Sequence, residues 1–213
     1  MSRTSNGSRR ELVEVAARLL TEQGPQSLSA RALARETGTS TMAVYTYFGS
    51  MSGLVREVIR EGFARLADRL TTVHPSDDPV ADGFRLAIAY RQSAHLSPHL
   101  YAVMFGGSSI AGFQLSDEDR RIGLYTLQVA RDTVPRCIEA GRFRPADPWF
   151  IARHMWCQLH GLVSLELAGY LTSDHSANVD FRQYLRDFAV GAGDALERAQ
   201  ASLALAFDRA NNT

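Results

Sequence analysis

The sequence predicts an all-α protein of about nine helices, arranged as a small N-terminal domain and a larger C-terminal domain. Apolar residues recur every three or four positions along most of the chain, which is the period of a helix that buries one face. The alternation of apolar and polar residues that marks a half-buried strand is almost absent. Clusters of Gly, Pro and Ser separate the periodic segments and predict where the helices end.

The first predicted helix ends at Gly24-Pro25, because a proline after a glycine stop does not continue a helix. Its apolar face comprises Leu12, Val15, Ala16, Leu19 and Leu20. Ser29 is placed to cap a second short helix that runs through Glu36.

A tight turn at Gly38 follows the second helix. Thr39 or Ser40 caps a third helix that runs from Thr41 to Phe48. Two short helices that are joined by a glycine turn and packed on a preceding helix describe a helix-turn-helix. The pattern therefore predicts a helix-turn-helix DNA-binding domain over residues 1–50.

The rest of the chain, residues 51–213, is predicted to form a larger helical domain. Ser52 is placed to cap a linking helix over 52–70, and the Pro- and Asp-containing segment from Thr71 to Gly83 reads as a linker. Pro135 is predicted to kink or split the long helix that contains it. The further predicted helices are Pro79–His95, Pro98–Phe105, Ser116–Gly141, Asp147–Leu171 and Val179–Phe207.

The composition describes an ordinary globular protein, with 45% hydrophobic residues, 22% charged residues and no net charge. Residues 1–50 carry six arginines against four glutamates, and a short basic arm comprises Arg3, Arg9 and Arg10. Since no secretion signal and no apolar run of roughly 20 residues are visible, we expect a cytoplasmic protein without a membrane partner. Two cysteines are too few for a disulfide framework or a structural zinc site, and no cofactor is expected.

The segment from Gly38 to Phe48 carries the strongest functional pattern. Small and polar residues open this helix and aromatic residues close it, which suits a recognition helix whose first residues approach base edges. Thr41 and Met42 are predicted to face bases, through a hydroxyl hydrogen bond and through an apolar contact such as a thymine methyl.

The aromatic end of the same helix is predicted to divide between DNA and core. Tyr45 and Tyr47 project on different sides of the helix, and both phenols can reach the DNA backbone. Exposure beside DNA is favoured over burial, because a buried tyrosine must find another partner for its hydroxyl. The alternative is that Tyr45 belongs to the core with Val44 and Phe48, and we expect these last two to be core residues.

Residues 9–55 resemble the N-terminal domain of TetR/AcrR-type regulators, and the matching residues are Gly38, Ser40, Tyr45, Phe48 and Ser50. The resemblance implies that Arg31 contacts a base or a phosphate, and that Tyr45 and Tyr47 contact phosphates. The expected DNA-contacting residues are therefore Arg9, Arg10, Arg31, Ser40, Thr41, Met42, Tyr45 and Tyr47.

One residue departs from the family pattern: Met51 stands where a lysine is usual. Main-chain amides at this helix start can still bind phosphate, but a charge is missing. We therefore expect the salt slope, which is the change of log affinity for DNA with log salt concentration, to be shallower by about one unit than in a typical relative. The basic arm either supplies the missing attraction in a minor groove or is a terminus without a function.

In the larger domain, the segment Trp156–Gly169 carries two stripes at helical spacing. A bulky stripe suits a core or a cavity wall and comprises Trp156, His160, Val163 and Leu167. A stripe of small residues suits a close helix–helix interface and comprises Cys157, Gly161, Ser164 and Ala168. The Trp-x-x-x-His-Gly pattern, with Leu100–Gly106 upstream, resembles the WHG-type C-terminal domain of one TetR/AcrR subfamily.

The family resemblance implies a homodimer, here through 147–171 and 179–207. The final predicted helix fits a tight contact at Leu185, Phe188, Ala192, Ala195 and Ala199. Without a partner, this face and the stripe of small residues would leave a large exposed apolar patch. A two-fold dimer also suits paired half-sites in DNA.

The resemblance further implies a pocket for a small-molecule effector of unidentified chemistry. The candidate lining residues are Tyr90, His95, Tyr101, Met104, Phe105, Tyr125, Gln128, Trp156 and His160. The alternative for most of them is an ordinary core position. The polar members to test first are His95, Tyr125 and Gln128.

His154, Cys157 and His160 are candidate metal ligands, but their spacing spreads them too widely over a helix to converge. We instead expect a buried Cys157 and a hydrogen-bonded core His160. An enzyme that uses Cys157 with a histidine would need an orienting acid and an oxyanion site, and neither is apparent. No nucleotide fingerprint, nucleophile elbow or catalytic carboxylate pair is visible in 79–207.

These patterns and the family resemblance together favour a ligand-responsive repressor that binds a pseudo-palindromic operator as a dimer and that a small molecule releases. Residues 51–213 are the ligand-binding and dimerisation domain that the resemblance implies. The helix Ser52–Leu70 is the expected lever between the two domains, because it joins the recognition segment to the pocket domain. An activator or a ligand-independent regulator of the same fold is the first alternative. A helical adaptor that only dimerises is another, but it would not need Thr41, Met42 and Tyr45 exposed.

Overall fold

The computed structural model describes residues 3–106, 113, 115–171 and 176–210, with the side chains of 3–8, 176, 209 and 210 left outside the description. These residues form ten α-helices and two short 3-10 turns, at Pro25–Ser27 and Asp119–Arg121. The predicted all-α fold is thereby confirmed. The helices are α1 Arg3–Gln23, α2 Ala30–Thr37, α3 Thr41–Phe48, α4 Met51–Thr71, α5 Pro79–Leu96, α6 Pro98–Met104, α7 Thr126–Glu139, α8 Pro148–Leu167, α9 Ser176–Ala192 and α10 Leu196–Ala210.

Local caps define the helix-turn-helix. The hydroxyl of Ser29 accepts a hydrogen bond from the Ala32 amide at 3.1 Å, and that of Ser40 accepts one from the Ala43 amide at 3.2 Å. Gly38 has φ of +65°, a left-handed conformation that favours glycine. Of the two predicted caps for α3, the structure therefore selects Ser40.

The cap of α4 differs from the prediction by two residues. The cap of α4 is Ser50, whose hydroxyl accepts a hydrogen bond from the Gly53 amide at 3.0 Å, and the predicted cap Ser52 lies inside the helix. A Cβ atom at Gly53 would lie 2.0 Å from the carbonyl oxygen of Phe48. The close approach of α3 and α4 therefore requires glycine at this position.

Two of the predicted long helices are shorter than expected. The helix predicted over 116–141 begins only at Thr126, because Ser116 and Asp119 form a reciprocally hydrogen-bonded turn before it. Pro135 does not split the helix: α7 runs through it to Glu139. A proline removes one helical hydrogen bond but does not necessarily end a helix.

The last predicted helix is two helices, which accounts for ten rather than nine. The chain breaks at Gly193, where φ is +124°, and Asp194 begins the next helix by accepting a hydrogen bond from the Ala195 amide at 3.1 Å. The carboxylate of Asp194 is also bound by the buried guanidinium of Arg142, at 2.7 and 2.6 Å. This long-range pair is what holds the break in place.

The chain forms two compact units, one from residues 1–66 and 96–124 and the other from 67–95 and 125–213. In the first unit α1 packs on α2 and α6, and α2 packs on α3, around a fully buried core of Leu12, Leu19, Leu20, Leu33, Val44, Leu54, Val55, Val58 and Ile59. In the second unit α7 packs on α8, and α9 packs on α8 and α10. The functional boundary expected at residue 50 stays a prediction.

Of the helices in the described ranges, none is both long and apolar enough to cross a membrane.

Candidate nucleic-acid interface and effector region

The front of α3 is exposed and its back is buried. Thr41 is exposed and Met42 exposes 70% of its surface, whereas Val44 is fully buried. The predicted core role of Val44 is confirmed, while Phe48 is only half-buried. The arrangement leaves a hydroxyl and a flexible apolar side chain free to meet a partner beside the helix-turn-helix.

The two tyrosines of α3 have different environments, as their spacing predicts. Tyr45 exposes 46% of its surface. Tyr47 is half-buried, and its ring lies edge-on to that of Phe48 with a centroid distance of 6.3 Å. Tyr45 therefore offers the more accessible phenol.

The predicted basic arm is the beginning of a helix, because α1 starts at Arg3. Arg9 lies 5.3 Å from the centroid of the Phe48 ring and forms a 3.1 Å ion pair with Glu57 of α4. Arg10 pairs with Glu14 at 2.7 Å, and the side chain of Arg3 lies outside the described ones. Arg9 thus connects α1 to the end of α3 and to α4.

Helix α2 carries an exposed charge at Arg31 and a charge at Glu36 that pairs with another helix. Arg31 and Ser40 are exposed at the starts of α2 and α3. Glu36 is bound by Arg18 of α1 at 2.9 Å, and this hydrogen bond holds the pKa of Glu36 below its usual range. The ion pair connects α2 to α1, and α3 packs on α2.

Three predicted effector residues lie in the core of the first unit. Tyr101, Met104 and Phe105 cluster at the end of α6, and the rings of Tyr101 and Phe105 are 4.9 Å apart. Phe105 also packs edge-on against Phe63 of α4, at a centroid distance of 5.4 Å. A Cβ atom at Gly62 would lie 2.6 Å from the sulfur of Met104, so α6 and α4 are in close contact.

Four other predicted effector residues lie along α5 and α8 in the second unit. The Tyr90 hydroxyl and His160 Nδ1 share a hydrogen bond of 3.0 Å, and Trp156 stacks near His160 with ring centroids 5.8 Å apart. Burial lowers the pKa of His160, which favours the neutral ring at pH 7. The predicted hydrogen-bonded His160 is confirmed.

His95 belongs to a polar cluster that the sequence did not predict. Its Nε2 lies 2.9 Å from Oε2 of Glu166, a buried carboxylate that also binds Nε of Arg91 at 2.9 Å. Arg91 reaches Asn178 at 2.8 Å. The two partners of each hydrogen bond are separated by 70 or more positions, and no local spacing signals such a pairing.

The remaining two predicted effector residues, Tyr125 and Gln128, are exposed near the start of α7. Partial burial and the neighbouring Asp68 raise the pKa of Tyr125.

The second unit contains a small apolar cavity that none of the nine predicted residues lines. Its volume is about 20 Å³, which is roughly the room needed by one water molecule. Cys137 borders it, and burial raises the pKa of this thiol to about 12. The lining is Pro79, Val80, Gly83, Phe84, Ala130, Thr133, Val134, Cys137, Phe143, Ile151, Ala152, Met155 and Phe188, residues whose apolar spacing reads simply as core.

Helix α8 exposes one continuous face. The prediction of a buried Cys157 is wrong, because Cys157 and Gly161 lie on this exposed face. Phe150 exposes 60% of its surface there, and Leu165 and Ala168 continue the stripe. The residues repeat at intervals of three and four, so they line one side of α8.

The face predicted for the final helix is wrong in part. Leu185 and Ala199 are fully buried against their own chain and are unavailable to a second subunit. The prediction assumed one continuous helix, whereas the chain breaks at Gly193 and α10 packs on α9.

Comparison with known proteins identifies the class of protein. Residues 12–58 match the bacterial regulatory proteins of the tetR family, and residues 84–188 match the tetracyclin repressor-like C-terminal domain. The second match includes both segments that carry the WHG-type resemblance, Leu100–Gly106 and Trp156–Gly161. The chain belongs to the TetR family, whose known members are transcriptional regulators and not enzymes.

Individual relatives agree with this assignment. The HTH-type transcriptional regulator Rv1816 of Mycobacterium tuberculosis is 32% identical over 144 residues, which are 64% of this chain and 60% of the relative. A protein of unknown function from Rhodococcus sp. RHA1 has a similar structure, with a TM-score of 0.73, 25% identity and coverage of 88% of this chain and 96% of that one.

A regulator from Saccharomonospora viridis, solved in complex with choline, is similar in fold alone. Its TM-score is 0.68, with 21% identity and coverage of 86% of this chain and 95% of that one. The matched part of this chain spans 60% of the length of the curated relatives such as Rv1816.

Proposed function

We propose that this protein is a ligand-responsive transcriptional repressor that binds a pseudo-palindromic operator as a homodimer in the cytoplasm. The observation that carries the proposal is α3, with Thr41 and Met42 exposed and Val44 buried behind them in a TetR-type helix-turn-helix. A helix with a buried back and an exposed, uncharged front suits insertion into a major groove.

The side chains expected to contact DNA are proposed to divide between bases and phosphates. Thr41 and Met42 read base edges, and Ser40 and Arg31 lie where they reach the same groove or its phosphates. Tyr45 and Tyr47 donate their phenols to phosphates, and Arg10 adds positive charge at the start of α1. The amides at the start of α4 bind a further phosphate where Met51 brings no charge.

The dimer is proposed to form through α8 together with α9 and α10. The exposed stripe on α8 supports this, since Phe150, Leu165 and the small residues Cys157, Gly161 and Ala168 would otherwise remain in water. A two-fold axis presents two copies of α3 about one turn of DNA, roughly 34 Å, apart.

The effector is proposed to act through the larger domain, where Tyr90, His95 and His160 offer polar contacts and Trp156 an aromatic wall. The Saccharomonospora viridis regulator holds choline in the same fold, which supports a small-molecule site here. An effector that releases DNA must bind the released conformation more tightly, because equal affinity for both shifts nothing.

The DNA-binding proposal is tested by enrichment of duplexes from a random-sequence pool, together with a shift assay on the chain's own upstream region. We expect enriched duplexes with two related half-sites and a salt slope that reflects few phosphate contacts. Absence of binding to either DNA at low salt contradicts the proposal.

The repressor and effector parts need a separate experiment. A panel of small aromatic and quaternary ammonium compounds, with choline included, is screened for a rise in melting temperature. We expect a compound that raises the melting temperature to weaken DNA binding and to restore transcription in vitro. Transcription that increases when the protein binds DNA would instead identify an activator.

A further inference from the structure

The carboxylate of Asp119 is buried in the first unit, with 3% of its side chain exposed. Its Oδ2 accepts hydrogen bonds from the amide and hydroxyl of Ser116, at 3.0 and 2.8 Å, and its Oδ1 accepts one from Nε of Arg56 at 2.9 Å. Burial alone would raise the pKa of Asp119, but these hydrogen bonds and the Arg56 charge outweigh it and lower the pKa. The group is therefore an ionised, fixed anchor.

Arg56 is held by the same segment from a second side. Its guanidinium carbon lies 5.6 Å from the centroid of the Phe113 ring, within the range of a cation–π contact. Arg56 sits in the second turn of α4, directly after the corner that ends α3. A side chain of α4 is thus clamped between two residues of the segment 113–124.

The next residue of α4 makes the complementary connection. Glu57 binds Arg9, which stacks on Phe48 at the end of the recognition helix. Residues 56 and 57 therefore join α4 to two different parts of the unit: Arg56 to the segment 113–124, and Glu57 to α1 and α3.

Close packing at Gly123 fixes the same segment on α4 two turns further along. A Cβ atom at Gly123 would lie 2.1 Å from the ring of Phe63, which leaves no room for any larger residue without displacement. A closely packed contact of this kind can fix the position of α4, because packed interfaces shift between discrete arrangements rather than deform continuously.

We propose that Arg56 is a positioning residue for DNA binding: its ion pair with Asp119 holds the first half of α4, and with it α3, in the orientation that reads the operator. The inference rests on the proposed role of α3. The alternative role for Arg56 is direct contact with a DNA phosphate. In that role the phosphate must compete with the buried carboxylate of Asp119 for the guanidinium of Arg56.

The two roles differ in the effect of salt. The variants are Arg56→Gln, Asp119→Asn and the double substitution, with Arg65→Gln as a control because Arg65 pairs with Glu61 on the exposed surface of the same helix. The probe is a duplex enriched by the wild-type protein, and fluorescence anisotropy at several KCl concentrations gives the affinity and the salt slope.

For a positioning role, each single variant weakens binding by a similar factor, between about 5- and 150-fold, and the double variant is no weaker than either. The salt slope stays at the wild-type value, and Arg65→Gln changes nothing. The proposal is overturned if Arg56→Gln lowers the slope by about one unit while Asp119→Asn leaves binding unchanged or tighter. Wild-type affinity in both single variants overturns it as well.

Two further measurements keep the outcome clear. If Asp119→Asn does not fold by circular dichroism, Arg56→Gln and Arg56→Lys decide the question, since weaker binding at an unchanged slope supports positioning and a reduced slope for Arg56→Gln alone contradicts it. Thr41→Ala and Met42→Ala are measured on the same duplex. If these leave binding intact, α3 is not the reading helix and the proposed function fails independently of Arg56.

Discussion

Met42 and Val44 are two positions apart on α3 and lie in opposite environments, one largely in water and the other without contact to it. The helical period places them about 200° apart around the axis, so a single short helix separates recognition from packing. Arg9 makes two kinds of contact with one side chain, since its charge pairs with Glu57 and its guanidinium plane lies over the ring of Phe48.

At this scale we expect Met42→Ala and Val44→Ala to separate binding from stability. Met42→Ala should weaken operator binding several-fold and change the free energy of unfolding by less than about 0.5 kcal/mol, because exposed side chains contribute little to folding. Val44→Ala should cost about 2 kcal/mol of unfolding free energy, because it leaves a cavity in the core. Denaturant titration and anisotropy measure the two quantities, and equal stability loss in both variants would contradict the division.

Between elements, a buried polar cluster connects the start of α5, the turn after α7 and helix α10. Arg142 binds both carboxylate oxygens of Asp194, Asp78 at 3.1 Å and the hydroxyl of Ser202 at 2.8 Å. Asp78 in turn caps α5 by accepting hydrogen bonds from the amides of Val80 and Ala81 at 3.0 Å. The cluster is therefore what joins helices that are far apart in sequence.

Removal of the central charge should be costly. Arg142→Ala leaves the buried carboxylate of Asp194 without its partner, and we expect a loss of about 3–5 kcal/mol in the free energy of unfolding. Arg186→Ala, which breaks a surface pair with Asp187 in the same unit, should cost less than about 1 kcal/mol. Urea titration at fixed protein concentration compares the two, and similar losses would argue against the cluster as a structural centre.

The same cluster predicts a dependence on acid. Burial opposes ionisation of Asp78, but hydrogen bonds from Ser202 and main-chain amides, with the Arg142 charge, outweigh it and lower the pKa of Asp78. Because the pKa is lower in the folded state, the associated stability is present above the unfolded carboxyl pKa of about 4 and is lost as pH falls further.

Ser202→Ala should therefore reduce stability at pH 7 and approach the wild type as the pH falls toward 2. Thr133→Ala is the control, since its hydroxyl donates to the carbonyl of Val129 and its effect should not vary with pH. Urea midpoints between pH 2 and 7 give the comparison. A difference between Ser202→Ala and wild type that stays constant across this range would contradict the assigned role of Asp78.

At the scale of the whole molecule, the exposed stripe of α8 leaves apolar side chains in water in the single chain. Gly161 lies at its centre, between Cys157 and Leu165, and a Cβ atom at Gly161 would meet no atom within 4 Å in the single chain. The absence of a steric need for glycine inside the subunit suits a close contact with a second helix. Gly83 of α5 is equally unobstructed, is half-buried and lines the small cavity of the second unit.

Gly161→Leu should therefore weaken the dimer by at least tenfold, while the folded chain keeps its stability or gains up to about 1 kcal/mol from higher helix propensity. Gly83→Ala should leave the oligomeric state unchanged. Sedimentation velocity over a range of concentrations measures the association. A Gly161→Leu protein that dimerises as tightly as wild type would place the interface elsewhere.

Local interactions are what made much of the fold readable from the sequence. The helical periods, the glycine turn at Gly38 and the cap at Ser29 each depend on residues within four positions, so their pattern is visible in one stretch of chain. The exposed front of α3 followed from the same periods. Even here, the choice between Ser50 and Ser52 as the cap depended on how closely α4 approaches Phe48.

The sequence by itself thus determined the all-α class, the helix-turn-helix and the buried role of Val44. Only the tertiary structure decided the break at Gly193, the pairing of Glu166 with His95 and Arg91, and the ion pair between Arg56 and Asp119. The physical reason is that a periodic pattern reports which side of a helix is apolar, whereas a buried charge selects its partner by three-dimensional proximity across 50 or more residues.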